Sequence, residues 1–491
     1  MRKRILAIVL AAALLATLPM FSTASAPVIT ITNPYADVVW GTWDAYLGQL
    51  HTHSTAGDGY HDFRDVIEYH YYFGYDLLAM TEHGVVDRGW VGSRPNALPI
   101  MRWAQGGGNW GRWFSTAPLT GLTQERYDQI NAGYGRDGRG MIRVPYGIEQ
   151  NPISLPNLTH VVSLYADWGN AWWGGSMDYS AAVRGVHRAG GISFIAHPGE
   201  VPYHWSVPLA EAWEGGSHYL WRIQTLLEQY DSLIGFEIPG AHDRKLWDVV
   251  LTNLAPTGRN VFGVQTSDMH RMDRIFRGYT WHMMPENNAA NVRVSLETGA
   301  FFSGSSFINR YEEVARWAET LGDPDFFYNL DHNHYQTRYS WNAVRDPYYL
   351  DTDTTYHFNV PLHPKPMVEN ITVSGSTIAI TGNEHVLGIQ WIADGEVVHR
   401  TAGRESTIDL AALLDDIGAH VRAELFGLGG VLYTQPFLLR YEGMPAPTLT
   451  PDDFIDWGRG LAFGRFVLFY PIGRLTDLLW RAIYGWMGWL Y

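Results

Sequence analysis

The 491-residue chain contains no cysteine, which excludes a disulfide scaffold, a thiol nucleophile and any thiolate zinc site. Lysine is nearly absent too: only Lys3, Lys245 and Lys365 occur, and every other basic residue is arginine. A lysine nucleophile therefore has few candidates, none of them in a recognisable motif. Charged residues make up 17% of the chain, with a formal net charge of −15. That balance lacks the basic face a phosphate-backbone binder needs, so no nucleic-acid polymer is expected as a partner. A small anionic substrate is still compatible with it, because bound cations reverse the local sign of the field. What the chain has in quantity is 20 His, 28 Tyr and 21 Trp, with 46% apolar residues. At this length that supports sizeable cores in more than one domain.

Arg2, Lys3 and Arg4, the apolar run Ile5 to Leu18, and Ala24-Ser25-Ala26 follow one another as n-region, h-region and cleavage site. Residues 1–26 read as a Sec-type signal peptide or an uncleaved N-terminal anchor. The remainder is expected to be exported, either secreted or attached to the outer face of the cytoplasmic membrane.

From about Asp37 to Ser306, short apolar runs alternate with helix-like stretches. Strands are expected at Asp76 to Thr81, Val144 to Ile148, His160 to Tyr165, Ile192 to Ala196, Leu233 to Ile238 and Asn260 to Gln265. Helices are expected at Tyr179 to Ala189, Tyr219 to Tyr230 and Asp243 to Leu254. This predicts α/β units around a parallel sheet over 27–308, and a barrel is preferred because polar residues gather at the strand ends. Residues 309–364 read as an insertion or linker. Period-two alternation over 365–442, with an Asp394-Gly395 turn, predicts a small all-β, sandwich-like domain. A proline-rich linker, 443–456, leads to an aromatic helical tail, 457–491. On a helix, Arg474, Asp477 and Arg481 share one face, while Leu475, Leu479, Ile483 and Trp486 share another. Contact with a membrane surface and packing on the protein itself both fit that tail.

Histidines and carboxylates fall at the ends of the expected strands. His51 and His53 are spaced i, i+2 on an extended segment, so both can reach one metal. With 20 histidines in 491 residues, about 0.8 such pairs arise by chance, so context decides. His332 and His334 have the same spacing in the irregular stretch and read as a solvated loop. The first pair has company: Asp58 in Ser54-Thr55-Ala56-Gly57-Asp58-Gly59, His83 in Thr81-Glu82-His83, Glu149, His160, His197 in Ala196-His197-Pro198, and Asp268 and His270 in Ser267-Asp268-Met269-His270. A polynuclear metal site needs such convergence of neutral imidazoles and carboxylates from several strands on one rim.

The order of these motifs over Gly48 to Ser306 resembles the PHP (polymerase and histidinol phosphatase) superfamily of metal-dependent phosphoesterases. Val421-Arg422-Ala423-Glu424 resembles the β module of its secreted, carbaryl-hydrolase-like branch. The resemblance implies a distorted (βα)7 barrel with two or three divalent ions, Zn, Mn or Fe. Carried over, His51, His53, Glu149 and Asp268 would hold a first ion. Glu149 would bridge to a second, completed by His160 and His197, and Asp58, His83 and His270 would hold a third. Glu149, Asp268 and His197 would be central to catalysis. Glu82 stands where Asp is commoner and is expected to orient a ligand imidazole. Glu237 ends a strand but matches no ligand position. The implied activity is hydrolysis of a small phosphate mono- or diester. Hydrolysis of a carbamate or carboxylic ester at the same centre, and a non-catalytic module binding surface glycans or lipid, are the alternatives. Arg271, Arg274 and Arg277 follow the last motif, where one could clamp a phosphate.

Overall fold

The computed structural model describes residues 28–83, 85–94, 119–150, 159–169, 179–199, 218–306, 311–323, 337–340, 357–360 and 363–444. Residues 1–26, expected to be a signal peptide or anchor, His332 and His334, and the expected tail 457–491 lie outside the described residues, as does the proline-rich linker beyond residue 444. Among the described residues, no helix is long and apolar enough to cross a membrane.

Among the described residues the chain is a mixed α/β protein, and two of its sheets carry the α/β part. In the first, Asp44–Gln49 runs parallel to Leu77–Leu78, which runs parallel to Ile142–Arg143. On its other side Asp44–Gln49 pairs antiparallel with Tyr279–Met284, and that strand with Phe301–Ser305. In the second sheet the order is Phe262–Val264, Leu233–Glu237, Ile192–Ile195, Val161–Leu164, Ile148–Gln150. The first two pairings are parallel and the last two antiparallel. The all-parallel sheet expected from the alternation is thus corrected to a mixed one. Ile192–Ile195 and Leu233–Glu237 are buried along their whole length, which explains why they read as continuous apolar runs. Gly235 permits a close approach of these two strands: a Cβ there would lie 1.8 Å from the Phe262 carbonyl oxygen. Two single parallel bridges, His83 to Glu149 and Thr52 to Met269, join the sheets at their strand ends.

The strand expected at Val144 to Ile148 is instead a bend between Ile142–Arg143 and Ile148–Gln150. Pro145 has no amide to donate, and Tyr146 takes a left-handed conformation at φ 59°. Asp76 to Thr81 contributes only Leu77–Leu78 to the ladder. Its extended course continues through single bonds, Ala79 N to Gln49 O at 2.9 Å and Thr81 N to Thr52 O at 3.0 Å.

Beyond residue 363, Val368–Ser374, Thr377–Gly382 and Glu405–Asp409 form a three-stranded sheet. Gly388–Ala393 and Glu396–Ala402 form the hairpin around Asp394-Gly395, with both turn residues at positive φ. Trp391 donates to Ser406 Oγ across the two layers at 3.0 Å, and Ile378, Ile380 and Ile408 share one apolar cluster with Ile389, Ala423 and Leu425. The second layer does not stop at the expected boundary. Gly430–Tyr433 pairs antiparallel with Phe301–Ser305, and Thr30–Thr32 closes the far edge on Phe437–Arg440.

Candidate metal centre

The ligand candidates gather around the ends of buried strands, with Asp58 on the loop that follows Asp44–Gln49. The segment carrying His51 and His53 extends Asp44–Gln49 and is pinned on both sides: Thr52 N donates to Thr81 Oγ1 at 2.8 Å and His53 N to Met269 O at 3.0 Å. This brings it between the segments that carry His83 and His270. Glu149 lies within Ile148–Gln150, His160 just precedes Val161–Leu164, and His197 follows Ile192–Ile195. Asp268 and His197 are non-glycine residues at positive φ, 44° and 26°. Strained backbone of this kind persists where surrounding structure fixes it, often at functional sites.

Glu149 is the hub. Its Oε2 lies 3.2 Å from His51 Nε2, 3.2 Å from His53 Nε2 and 3.0 Å from His83 Nδ1. Its Oε1 lies 2.8 Å from His160 Nδ1 and 3.2 Å from His197 Nε2. Asp268 Oδ1 is 3.5 Å from His51 Nε2, 3.2 Å from His53 Nε2 and 3.4 Å from His270 Nδ1. Asp58 Oδ1 is 3.1 Å from His270 Nε2 and 3.6 Å from His53 Nδ1, and its Oδ2 is 3.7 Å from His83 Nε2. The structure therefore brings all nine sequence-predicted ligands together. Donor atoms converge in three overlapping groups: His51, His53 and Glu149; His83, Glu149 and His160; and His53, Asp58, His83 and His270. His83, assigned by resemblance to one ion, faces two groups with its two ring nitrogens.

The donor set fits divalent cations. His51 Nδ1 lies 2.7 Å from Glu237 Oε1, so Nδ1 carries a hydrogen, and once the ring gives up its second proton the Nε2 lone pair faces inward. That lone pair meets His53 Nε2 at 3.0 Å as well as two carboxylate oxygens. The buried Glu149 Oε2 and Asp268 Oδ1 find no hydrogen-bond donor in bonding geometry among the described residues. Lone pairs crowded in this way repel unless a positive charge lies among them.

The field has the same sense. Burial favours the neutral acid at Glu149, but the His83, His160 and His51 imidazoles hold its carboxyl well below the usual range. At Asp268, burial is overcome by His51, His270 and His53. Burial opposes charging of His51, yet Glu237, Glu149 and Asp268 raise it well above its usual value. Burial also opposes His270, which Asp268 and Asp58 raise to about 9.

Two carboxylates act around the centre. Glu82, expected to orient an imidazole, instead accepts from the Ser54 amide at 2.9 and 3.1 Å and from the Ser54 hydroxyl. It fixes the loop that presents Asp58. Glu237, to which sequence assigned no ligand position, contacts three segments that carry ligand candidates, at His51, His197 and Thr266. Outside the array, Arg271 and Arg274 are exposed. The Arg271 guanidinium lies 6.0 Å from the Tyr60 ring centroid and 3.5 Å from Asp273.

No family model matches the chain, and no curated protein matches it. Among solved structures, it is similar to a two-domain protein from Bacteroides vulgatus containing a predicted PHP-like metal-dependent phosphoesterase, at 14% identity and a TM-score of 0.38. The likeness covers 81% of this chain and 96% of that one.

Proposed function

We propose that the chain is an exported, metal-dependent phosphoesterase that hydrolyses a small phosphate mono- or diester, its strands completing a distorted (βα)7 barrel. One observation carries this reading: a single buried carboxylate, Glu149, has five imidazole nitrogens within 3.2 Å, shared between its two oxygens. A mononuclear site has no use for so many donors, whereas adjacent divalent ions with a bridging carboxylate do. The all-nitrogen-and-oxygen donor set suits two or three ions of Zn, Mn or Fe. Such ions, when bound, supply Lewis acidity toward phosphoryl oxygens and bring a water's pKa near neutrality. The chain's own part is to hold positions. Glu149 ties His51 and His53 to His160 and His197. His53 and His83 extend the array to Asp58 and His270. All of these ligands except His160, His270 and the two aspartates are buried outright, so the array is organised before substrate arrives.

The test is turnover of p-nitrophenyl phosphate, bis-p-nitrophenyl phosphate and a naphthyl carbamate, with and without added Mn or Zn. Phosphoester hydrolysis that a chelator abolishes and metal restores is the expected result. Turnover of the carbamate alone would move the reaction to ester hydrolysis. Metal uptake with no turnover of any of them would leave a binding module.

A further inference from the structure

Glu237 is fully buried at the end of Leu233–Glu237 and belongs to none of the three donor groups. Its Oε1 accepts from His51 Nδ1 at 2.7 Å and from Thr266 Oγ1 at 2.7 Å. Its Oε2 accepts from the His197 amide at 2.9 Å. The three donors come from three different segments, which lead respectively to His51 and His53, to Asp268 and His270, and to His197. We propose that Glu237 is a positioning residue shared by two ion positions: it fixes which nitrogen His51 turns inward and holds the His197 backbone in its left-handed conformation.

This rests on the metal-centre reading above and adds a specific coupling within it. His51 belongs with His53 and Glu149, while His197 stands on the far oxygen of Glu149. One carboxylate therefore orients a ligand on each side of Glu149. Three donors on a carboxylate leave no room for an amide. In Glu237→Gln, an NH2 placed at Oε2 faces the His197 N–H, donor against donor. An NH2 placed at Oε1 instead forces His51 Nδ1 to accept. The ring hydrogen then moves to Nε2, the nitrogen that faces the array, and a ligand lone pair is lost. Either orientation damages one side, and exchange between them damages both. The His197 turn has a second hold that is independent of this residue, since Asp243 Oδ1 accepts from Gly199 N at 2.6 Å. The loop therefore has support beyond Glu237, which favours a folded variant.

The experiment uses the full-length chain, stripped of metal and titrated with Mn2+ by calorimetry. The visible spectrum of the Co2+-loaded protein gives an independent readout of the ligand field. Glu237→Gln is expected to weaken Mn2+ binding about 10- to 100-fold at both positions together and to alter the Co2+ spectrum. Thr266→Val, which removes one donor and keeps the charge, is expected to weaken it by less than about tenfold. A folded Glu237→Gln variant with wild-type Mn2+ binding and Co2+ spectrum would overturn the proposal, and so would weakening confined to one ion. Should Glu237→Gln not fold, Glu237→Asp takes its place: the carboxylate is withdrawn by one methylene, and unchanged binding would be equally fatal. Wild-type protein that binds no more Mn2+ than Glu149→Ala would instead remove the metal centre itself.

Discussion

Arg422 and Asp248 form a buried two-pronged ion pair, Nε to Oδ1 at 2.8 Å and Nη2 to Oδ2 at 2.9 Å. Asp248 lies in the helix Ala241–Leu254 and Arg422 in the strand His420–Gly427, so the pair fastens the α/β part of the chain to the C-terminal sheet. The third prong, Arg422 Nη1 to Glu424 Oε1 at 2.9 Å, and the Gln390 amide on Glu424 at 2.6 Å complete the network. Removing one partner strands a desolvated charge. Asp248→Ala should therefore lose about 3 to 5 kcal/mol in urea unfolding. The double variant Asp248→Leu with Arg422→Met should recover only part of that loss, because it removes the stranded guanidinium but takes the Arg422 partner from buried Glu424, which keeps the Gln390 amide. Equal losses in the single and double variants would mean that packing, not charge, dominates there.

Gln435 makes a second seam. Its side chain accepts from Gly263 N at 3.0 Å and donates to Gly263 O at 2.9 Å, while its own amide donates to Tyr35 Oη at 2.7 Å. It thus satisfies the free edge of Phe262–Val264 as a neighbouring strand would. Gln435→Ala leaves the Gly263 N–H unsatisfied, while Ser303 Oγ still donates to the Gly263 carbonyl at 2.6 Å, and should cost about 1 to 3 kcal/mol. Hydrogen exchange at Gly263 should accelerate in the variant, and unchanged protection would show that solvent or another group replaces Gln435.

Which side chains gather at one place was more legible in the sequence than the sheet that gathers them. His51, His53, Asp58, His83, Glu149, His160, His197, Asp268 and His270 stood out because metal chemistry restricts residue type and, Asp58 apart, they lie at or shortly beyond an apolar run. Strand direction was not readable. A buried strand such as Val161–Leu164 has the same apolar composition whether its neighbours run parallel or antiparallel. The bend at Tyr146 was missed because Val144 and Ile148 look like one run, and only Pro145 hinted otherwise. The partners of Glu82 were also out of reach. An acid beside a ligand histidine can orient the ring or fix a neighbouring loop, and only the position of Ser54 decides for the loop. The Gln435 seam has no local signature, since a glutamine that replaces a strand looks like any other.

Acid stability should reflect two buried neutral histidines. Ser295 spends its one hydrogen on Ala300 O at 2.9 Å, so its oxygen must accept from His282 Nδ1 at 3.0 Å. His282 Nε2 is then the acceptor for Thr280 Oγ1 at 2.9 Å. Burial pushes His282 down to about 3 and His70 to about 4, from an ordinary 6.5. Between those values the unfolded chain binds protons that the native state refuses. Their contribution is therefore intact above pH 6.5 and is lost as pH falls from 6.5 toward 4 and 3. His282→Gln should show a shallower fall in Tm from pH 6.5 to 4 than wild type, even if its Tm at pH 7.5 is lower. A parallel fall in both proteins would show that His282 does not drive the acid limb.

The three donor groups differ in how much each residue is shared, which separates two variants. Glu149 faces five imidazole nitrogens with both oxygens, so Glu149→Ala removes the element common to two groups. It should lose at least two ions by elemental analysis after gel filtration and nearly all turnover, with the overall fold kept. Asp58 belongs only to the group with His53, His83 and His270, and its loop is held independently by Glu82 on Ser54. Asp58→Asn keeps the shape of the side chain and removes one negative charge, so its effect should be confined to that group. The expected outcome is weaker retention of one ion and a lower rate, with a Tm close to wild type. Because Asp58 and Asp268 both raise His270, the variant should also lower the pH at which the metal-free His270 ring loses its proton. Asp58→Asn that keeps its full metal complement through exhaustive dialysis would show that the group around Asp58 holds no ion. Loss of every ion from Asp58→Asn would show that the three groups load as one.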